Sequence, residues 1–148
     1  MSNTTFNVGR DVTAVAITAS GTRLDLTGLT AFVVTDVTEN IKRERVNSVP
    51  LMRVLPDGHM FTFSLDRMSG INDAFFSSVE QGYWAGGYPN GTTGGGTLYV
   101  YVNETDGSQS EYLATNVVFW MKDRLTVHQK AAVTQTIEGF SSTFAKVG

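Results

Sequence analysis

The sequence predicts a mainly β fold, an antiparallel β-sandwich or barrel with one flanking α-helix. Three observations predict it. Period-two alternation recurs in about six or seven stretches, turn signals separate these at hairpin spacing, and one stretch switches to a helical period. The switch falls between His59 and Gly87. Phe61, Phe63 and Leu65 alternate with Met60, Thr62 and Ser64, which describes a half-buried strand. Ile71, Phe75, Phe76, Val79 and Tyr83 then share one face of a helix. Ser69 or Asn72 is suited to cap its start, Asp73 suits the positive end of the helix dipole, and Gly82 with Gly86 and Gly87 ends it. A lone amphipathic helix in a β protein must lay its apolar face on a sheet, so this stretch locates the core.

The other elements follow in chain order. Residues 1–9 are polar and expected to be flexible. Arg10 to Thr18 alternates Val12, Ala14 and Ala16 against Thr13, Val15 and Ile17, a strand that Ser20-Gly21-Thr22 or Thr27-Gly28 closes with a turn. Ala31 to Val46 is a long strand whose second half carries Lys42, Arg43, Glu44 and Arg45. Asn47 to Gly58 reads as irregular, because Pro50 and Pro56 cannot donate to a ladder and Pro56-Asp57-Gly58 is a turn signal. Yet Val49, Leu51, Met52, Val54 and Leu55 make this segment apolar, so it is either tucked onto its own domain or covered by another chain.

Beyond the helix, Gly86 to Gly96 is a glycine-rich loop, and it lacks the lysine and following helix of a phosphate cradle. Thr97 to Asn103 is a strand, Thr105-Asp106-Gly107 a hairpin turn, and Glu111 to Trp120 the returning strand. Met121 to Arg124 reads as a turn. Leu125 to Glu138 reads as the last long strand, with Val127, Ala131, Val133 and Ile137 on its apolar side. Its other side, from Thr126 to Thr136, is rich in uncharged polar residues, which suits a sheet that joins other sheets better than a solvated edge. Residues 140–148 read as a short tail containing Phe140 and Phe144.

Composition narrows the function. A chain of 148 residues suits one domain, spanning 1–148, with a real core. A net charge of −3 argues against a dedicated nucleic-acid binder. The absence of cysteine removes disulfides, thiolate metal sites and a cysteine nucleophile. The start of the sequence lacks the basic and apolar regions of a signal peptide, and no apolar run approaches the ~20 residues that cross a bilayer.

No convergent catalytic, cofactor or metal set is visible, so the sequence predicts no enzyme. His59 and His128 both fall at expected strand positions and are not spaced as a metal pair. Asp66 and Arg67 suggest a local ion pair at the strand–helix corner. Tyr83, Trp84, Tyr99 and Tyr101 are the residues a binding module would use to stack a ligand or glycan, although for Tyr83 and Trp84 helix-to-sheet packing is the commoner use. Asn-x-Thr triplets at Asn3, Asn90 and Asn103 carry no meaning without a secretory signal.

The central stretch resembles the tail tube proteins of long-tailed bacteriophages, the contractile type being expected. The residues that carry the resemblance are Pro50-Leu51, Pro56-Asp57-Gly58, Asp66-Arg67, Asp73, Phe75-Phe76, Glu80, Tyr83-Trp84 and Gly86. Asp106-Gly107-Ser108 and the apolar strand after it fit as well, so the resemblance spans roughly Arg10 to Gly139. It implies a β-sandwich with a helix on its flank, six copies to a ring, and rings stacked into a hollow tube through which viral double-stranded DNA passes without specific binding. It implies an inter-ring contact loop between the second and third strands, carrying Arg43, Arg45, Val49, Leu51, Met52, Val54 and Leu55. It also implies sheath, tape-measure and baseplate or terminator partners, no membrane, and a place in the virion tail after assembly in the bacterial cytoplasm. The related tube protein of a type VI-like secretion system, of the haemolysin-coregulated type, is the close variant, and a β-barrel binding module is the other class. The glycine-rich loop has no counterpart in the resemblance.

Overall fold

The computed structural model describes residues 8–44, 46, 49–85 and 95–148. After a 3-10 turn at Gly9–Asp11 come β1 (Val12–Ile17), β2 (Leu29–Arg43), β3 (Leu51–Asp66) and the helix α1 (Ile71–Trp84). Then follow β4 (Gly96–Asn103), β5 (Gln109–Thr126), β6 (Thr134–Ser141) and β7 (Ala145–Lys146). The strands form one antiparallel sheet in the order β1-β4-β5-β6-β3-β2, with β7 added beside β5.

The sheet serves two halves because β5 changes partner along its length. Its first part pairs with β4 and its second with β6. At the changeover Asn116 is an extra residue in the ladder and adopts a φ of 53°, a left-handed conformation that asparagine tolerates better than most residues. Ala14, Ala16, Leu98 and Val100 from one half join Phe61, Phe63, Leu65 and Ile137 from the other in a single core. Phe75 and Phe76 bring α1 onto the same core. The alternation expected for β1, β3 and β4 is observed: Ala14, Ala16, Phe61, Phe63, Leu65, Leu98 and Val100 all point inward.

The turn expected at Thr105-Asp106-Gly107 joins β4 to β5. Gly107 takes a φ of 93°, and Asp106 Oδ1 accepts from the Ser108 amide at 2.9 Å. Gly21 likewise takes a φ of 87° in the turn after β1.

Four segments differ from the sequence reading. Residues 51–58 are not irregular: β3 starts at Leu51, opposite Arg43, so β2 and β3 form one long hairpin. The Pro56-Asp57-Gly58 signal specifies a β-bulge instead of a turn, with Asp57 and Gly58 opposite the single residue Val37. Gly58 has a φ of 109°, and a Cβ there would lie 2.4 Å from the Phe140 ring. Pro56 lies beyond the last β3 residue paired with β6, so only one of its sides is in a ladder, where a strand tolerates proline.

The second correction concerns Met121 to Arg124, which does not turn. β5 runs through it, and two register shifts between Met121 and Thr126 give bends that a sequence cannot distinguish from a turn. Third, Leu125 to Glu138 is not one strand. The Ala131 amide donates to the His128 carbonyl at 3.1 Å in a turn without glycine or proline, and β6 begins only at Thr134. Val127 and Ala131 are therefore exposed and His128 lies off the strands, while Gln135, Ile137 and Ser141 face inward. Fourth, residues 140–148 are more than a tail. β6 continues to Ser141, β7 pairs with Tyr112 and Leu113, and Phe144 stacks on Tyr112 at 5.3 Å. Of the expected flexible start, residues 1–7 lie outside the described residues, as do residues 86–94 of the glycine-rich loop.

Candidate assembly surface

Among the described residues, the two ends of the sheet order have no strand on their outer sides. There β1 pairs with β4 alone, apart from one bridge at Arg23, and β2 pairs with β3 alone. A cleft of about 700 Å³ lies between them, lined by Val12, Thr13 and Ala14 of β1 and by Leu29, Ala31 and Phe32 of β2. Two open edges facing one cleft are unusual in a protein that stays alone, because unpaired N–H and C=O groups invite another strand.

The second feature is the far part of the β2–β3 hairpin. β6 covers β3 only from His59 onward, so residues 38–43 and 51–56 form a two-stranded ribbon that extends about 20 Å past the sheet at ~3.3 Å per residue. The sequence left open whether this apolar segment tucks onto its own domain. It does not: Leu51, Met52 and Val54 of the ribbon are exposed, with Met52 at 66%, and so are Val46 and Val49 at its tip. Leu55 is half-buried near the root and Arg43 is exposed. Arg45, also expected in this contact loop, lies outside the described residues. Ile41, exposed beside them, was missed; its place within a charge cluster hid it.

The root of the ribbon is braced. His59 Nδ1 lies 2.7 Å from Asp36 Oδ1 across the two strands, and the Phe144 ring sits 6.0 Å from the imidazole. Phe140 fills the space above Gly58. The bulge thus joins a well-packed body to a ribbon whose apolar side chains are mostly exposed.

α1 is held at both ends by polar contacts as well as by its aromatic face. Asn72, 2% exposed, donates from Nδ2 to the Asp25 carbonyl at 2.9 Å and accepts the Asp25 amide at 2.8 Å. Asn72 is therefore a pin to the preceding loop and not the helix cap. Gly70 stands at the cap position, and Ser69 Oγ accepts the Ile71 amide at 3.4 Å. Arg67 pairs with Asp73 at 2.9 Å rather than with Asp66. Gln135 Nε2 donates to Asp73 Oδ1 at 2.7 Å, and Arg124 reaches Glu80 at 3.2 Å. The Ser69 hydroxyl, and after it the Thr27 hydroxyl and amide, hold the Asp25 carboxyl below its ordinary value of 3.8.

The apolar stripe of α1 is narrower than the spacing suggests. Phe75 and Phe76 are buried and Val79 packs against them. Ile71 and Tyr83, at the two ends, are exposed instead. Tyr83 and Trp84 meet edge to face at 5.2 Å, while Tyr99 and Tyr101 stack at 6.4 Å on β4. A shallow cleft of about 350 Å³ between α1 and β5 takes in Tyr83 but neither β4 tyrosine. Among the described residues no group of three or more metal-ligating side chains occurs, and no helix is long and apolar enough to cross a membrane.

Comparison with known proteins places this architecture. No family model matches the sequence, and no curated protein matches it either. Solved structures do match. The anti-feeding prophage tube-terminating cap aligns with a TM-score of 0.63 at 8% identity, covering 99% of this chain and 95% of that one. The SPP1 tail tube aligns at 0.60 and 12% identity, covering 96% of this chain and 79% of that one. A chain of the anti-feeding prophage baseplate aligns at 0.59 and 10% identity, over 100% of this chain and 98% of that one. The chain therefore has the tail-tube fold, shared by components of phage tails and contractile injection systems, as the order of its motifs suggested.

Proposed function

We propose that this chain is a non-enzymatic structural subunit of a phage tail tube. Six copies close into a ring, the open edges of β1 and β2 pair between neighbours, and the β2–β3 ribbon docks on the next ring. Double-stranded DNA passes through the resulting bore without specific binding, and sheath, tape-measure and baseplate or terminator proteins complete the tail. The subunit assembles in the bacterial cytoplasm and ends in the virion tail. One observation carries this reading: among the described residues, a body with two unpaired sheet edges bears a ribbon whose Ile41, Leu51, Met52 and Val54 are exposed. The tail-tube fold supports it. A mostly uncharged or acidic bore favours DNA passage, because each basic contact to phosphate adds affinity that slows movement.

Negative-stain microscopy of the purified protein over a concentration series tests the reading, and rings or hollow tubes are the expected result. Replacing both Leu51 and Met52 by aspartate should leave the monomer folded and abolish stacking, since the charges would be buried at the contact. Unchanged tubes in that variant would remove the ribbon from the interface. A monodisperse monomer at every concentration, with no growth on a baseplate seed, would favour a binding module.

A further inference from the structure

The geometry points to a ribbon clasped on both faces by other copies of this chain, not laid along a single surface; this rests on the tube reading above. Residues directly opposite in an antiparallel pair share a face. Ile41 opposite Arg53 and Leu51 opposite Arg43 therefore occupy one face, while Met52 opposite Lys42 and Val54 opposite Asn40 occupy the other. Each face shows large apolar side chains to solvent: Ile41 at 43% and Leu51 at 49% on the first, Met52 at 66% and Val54 at 52% on the second. A ribbon that lies on one surface needs one apolar face and keeps the other polar. Here neither face is polar throughout, and covering one alone would leave the other wet in the finished assembly.

Charge identifies what covers them. From Thr38 to Pro56 the sequence carries Lys42, Arg43, Arg45 and Arg53 against Glu39 and Glu44 only. The whole chain nevertheless has a net charge of −3, so a positive ribbon is joined to a more strongly negative body. The body of a second copy is thus complementary to the ribbon of the first, and two apolar faces call for two such bodies.

The protein has no cysteine, so Leu51→Cys and Met52→Cys each place a unique thiol on opposite faces. Each variant is labelled with a maleimide as free subunit and as tubes verified by microscopy. Each is also tagged with a photocrosslinker and doped into wild-type tubes for peptide mapping. Loss of labelling at both positions, with crosslinks to different peptides of neighbouring copies, is the expected result. One thiol that labels in tubes as fast as in the subunit would overturn two-faced clasping, as would crosslinks from both positions to one peptide. If a variant fails to assemble, Ile41→Cys and Val54→Cys repeat the test nearer the root. Failure of the wild-type chain to form rings or tubes is a separate result, which would overturn the tube reading and this inference with it.

Discussion

Asn72 shows how much of the structure rests on single polar side chains. Its amide satisfies both the N–H and the C=O of Asp25, in a region partly withdrawn from water. Asn72→Ala removes both bonds and leaves two backbone groups without partners, so it should destabilise the subunit by about 1–3 kcal/mol, read from urea unfolding. A loss within error of zero would show that water replaces the amide freely. The neighbouring carboxyl of Asp25 gives a pH signature. Its folded value is depressed, first by Ser69, so its contribution is complete above its ordinary 3.8 and is lost as pH falls through the lower folded value. Ser69→Ala should therefore reduce the acid-induced fall in melting temperature in that window. A steeper fall in the variant would contradict the assignment. Neither role was legible in the sequence, where Asn72 reads as a cap. Its true partner lies 47 residues away, and local spacing carries no information about it.

At the scale of elements, alternation was a dependable guide wherever one face was buried. Phe61, Phe63 and Leu65 announce β3, and Leu98 and Val100 announce β4, because burial on one side only imposes period two. It misled where burial stops or the strand bends. The ribbon beyond His59 buries neither face, so its sequence has no reason to alternate, and proline and glycine there read as breaks. In β5 the bulges near Asp123 disturb the period within a continuous strand. The helix is an intermediate case: its existence and centre were legible, but the width of its apolar stripe depends on the sheet beneath. This difference is testable. Phe76→Ala should cost roughly 3–5 kcal/mol in the isolated subunit, as expected for emptying a buried aromatic site. Ile71→Ala should stay within about 0.5 kcal/mol, as for an exposed position. Equal losses at the two positions would mean that the helix is rotated relative to the sheet.

At the scale of the whole molecule, the tail-tube architecture was legible from the order of motifs, whereas the open edges were not. Edge status depends on strand order, and a sheet ordered β1-β4-β5-β6-β3-β2 leaves its first two strands outermost. This arrangement makes the mode of ring closure measurable. In an antiparallel edge strand, alternate residues direct their N–H groups away from the only partner. In the free subunit those amides of β1 and of β2 before the bulge should exchange with deuterium quickly, while β6, paired with β3 on one side and with β5 on the other, exchanges slowly. Ring formation by strand pairing should protect the outward amides of both β1 and β2 together, since each edge supplies the partner of the other. Stacking alone should protect only the ribbon. Hydrogen exchange of free subunit and assembled tube, read by mass spectrometry, separates the two. Protection confined to residues 38–56 would mean that side chains join the ring while its edges stay open. Protection of both edges at once would identify main-chain pairing as the bond around the ring, and the cleft between β1 and β2 as the place where a neighbour completes the sheet.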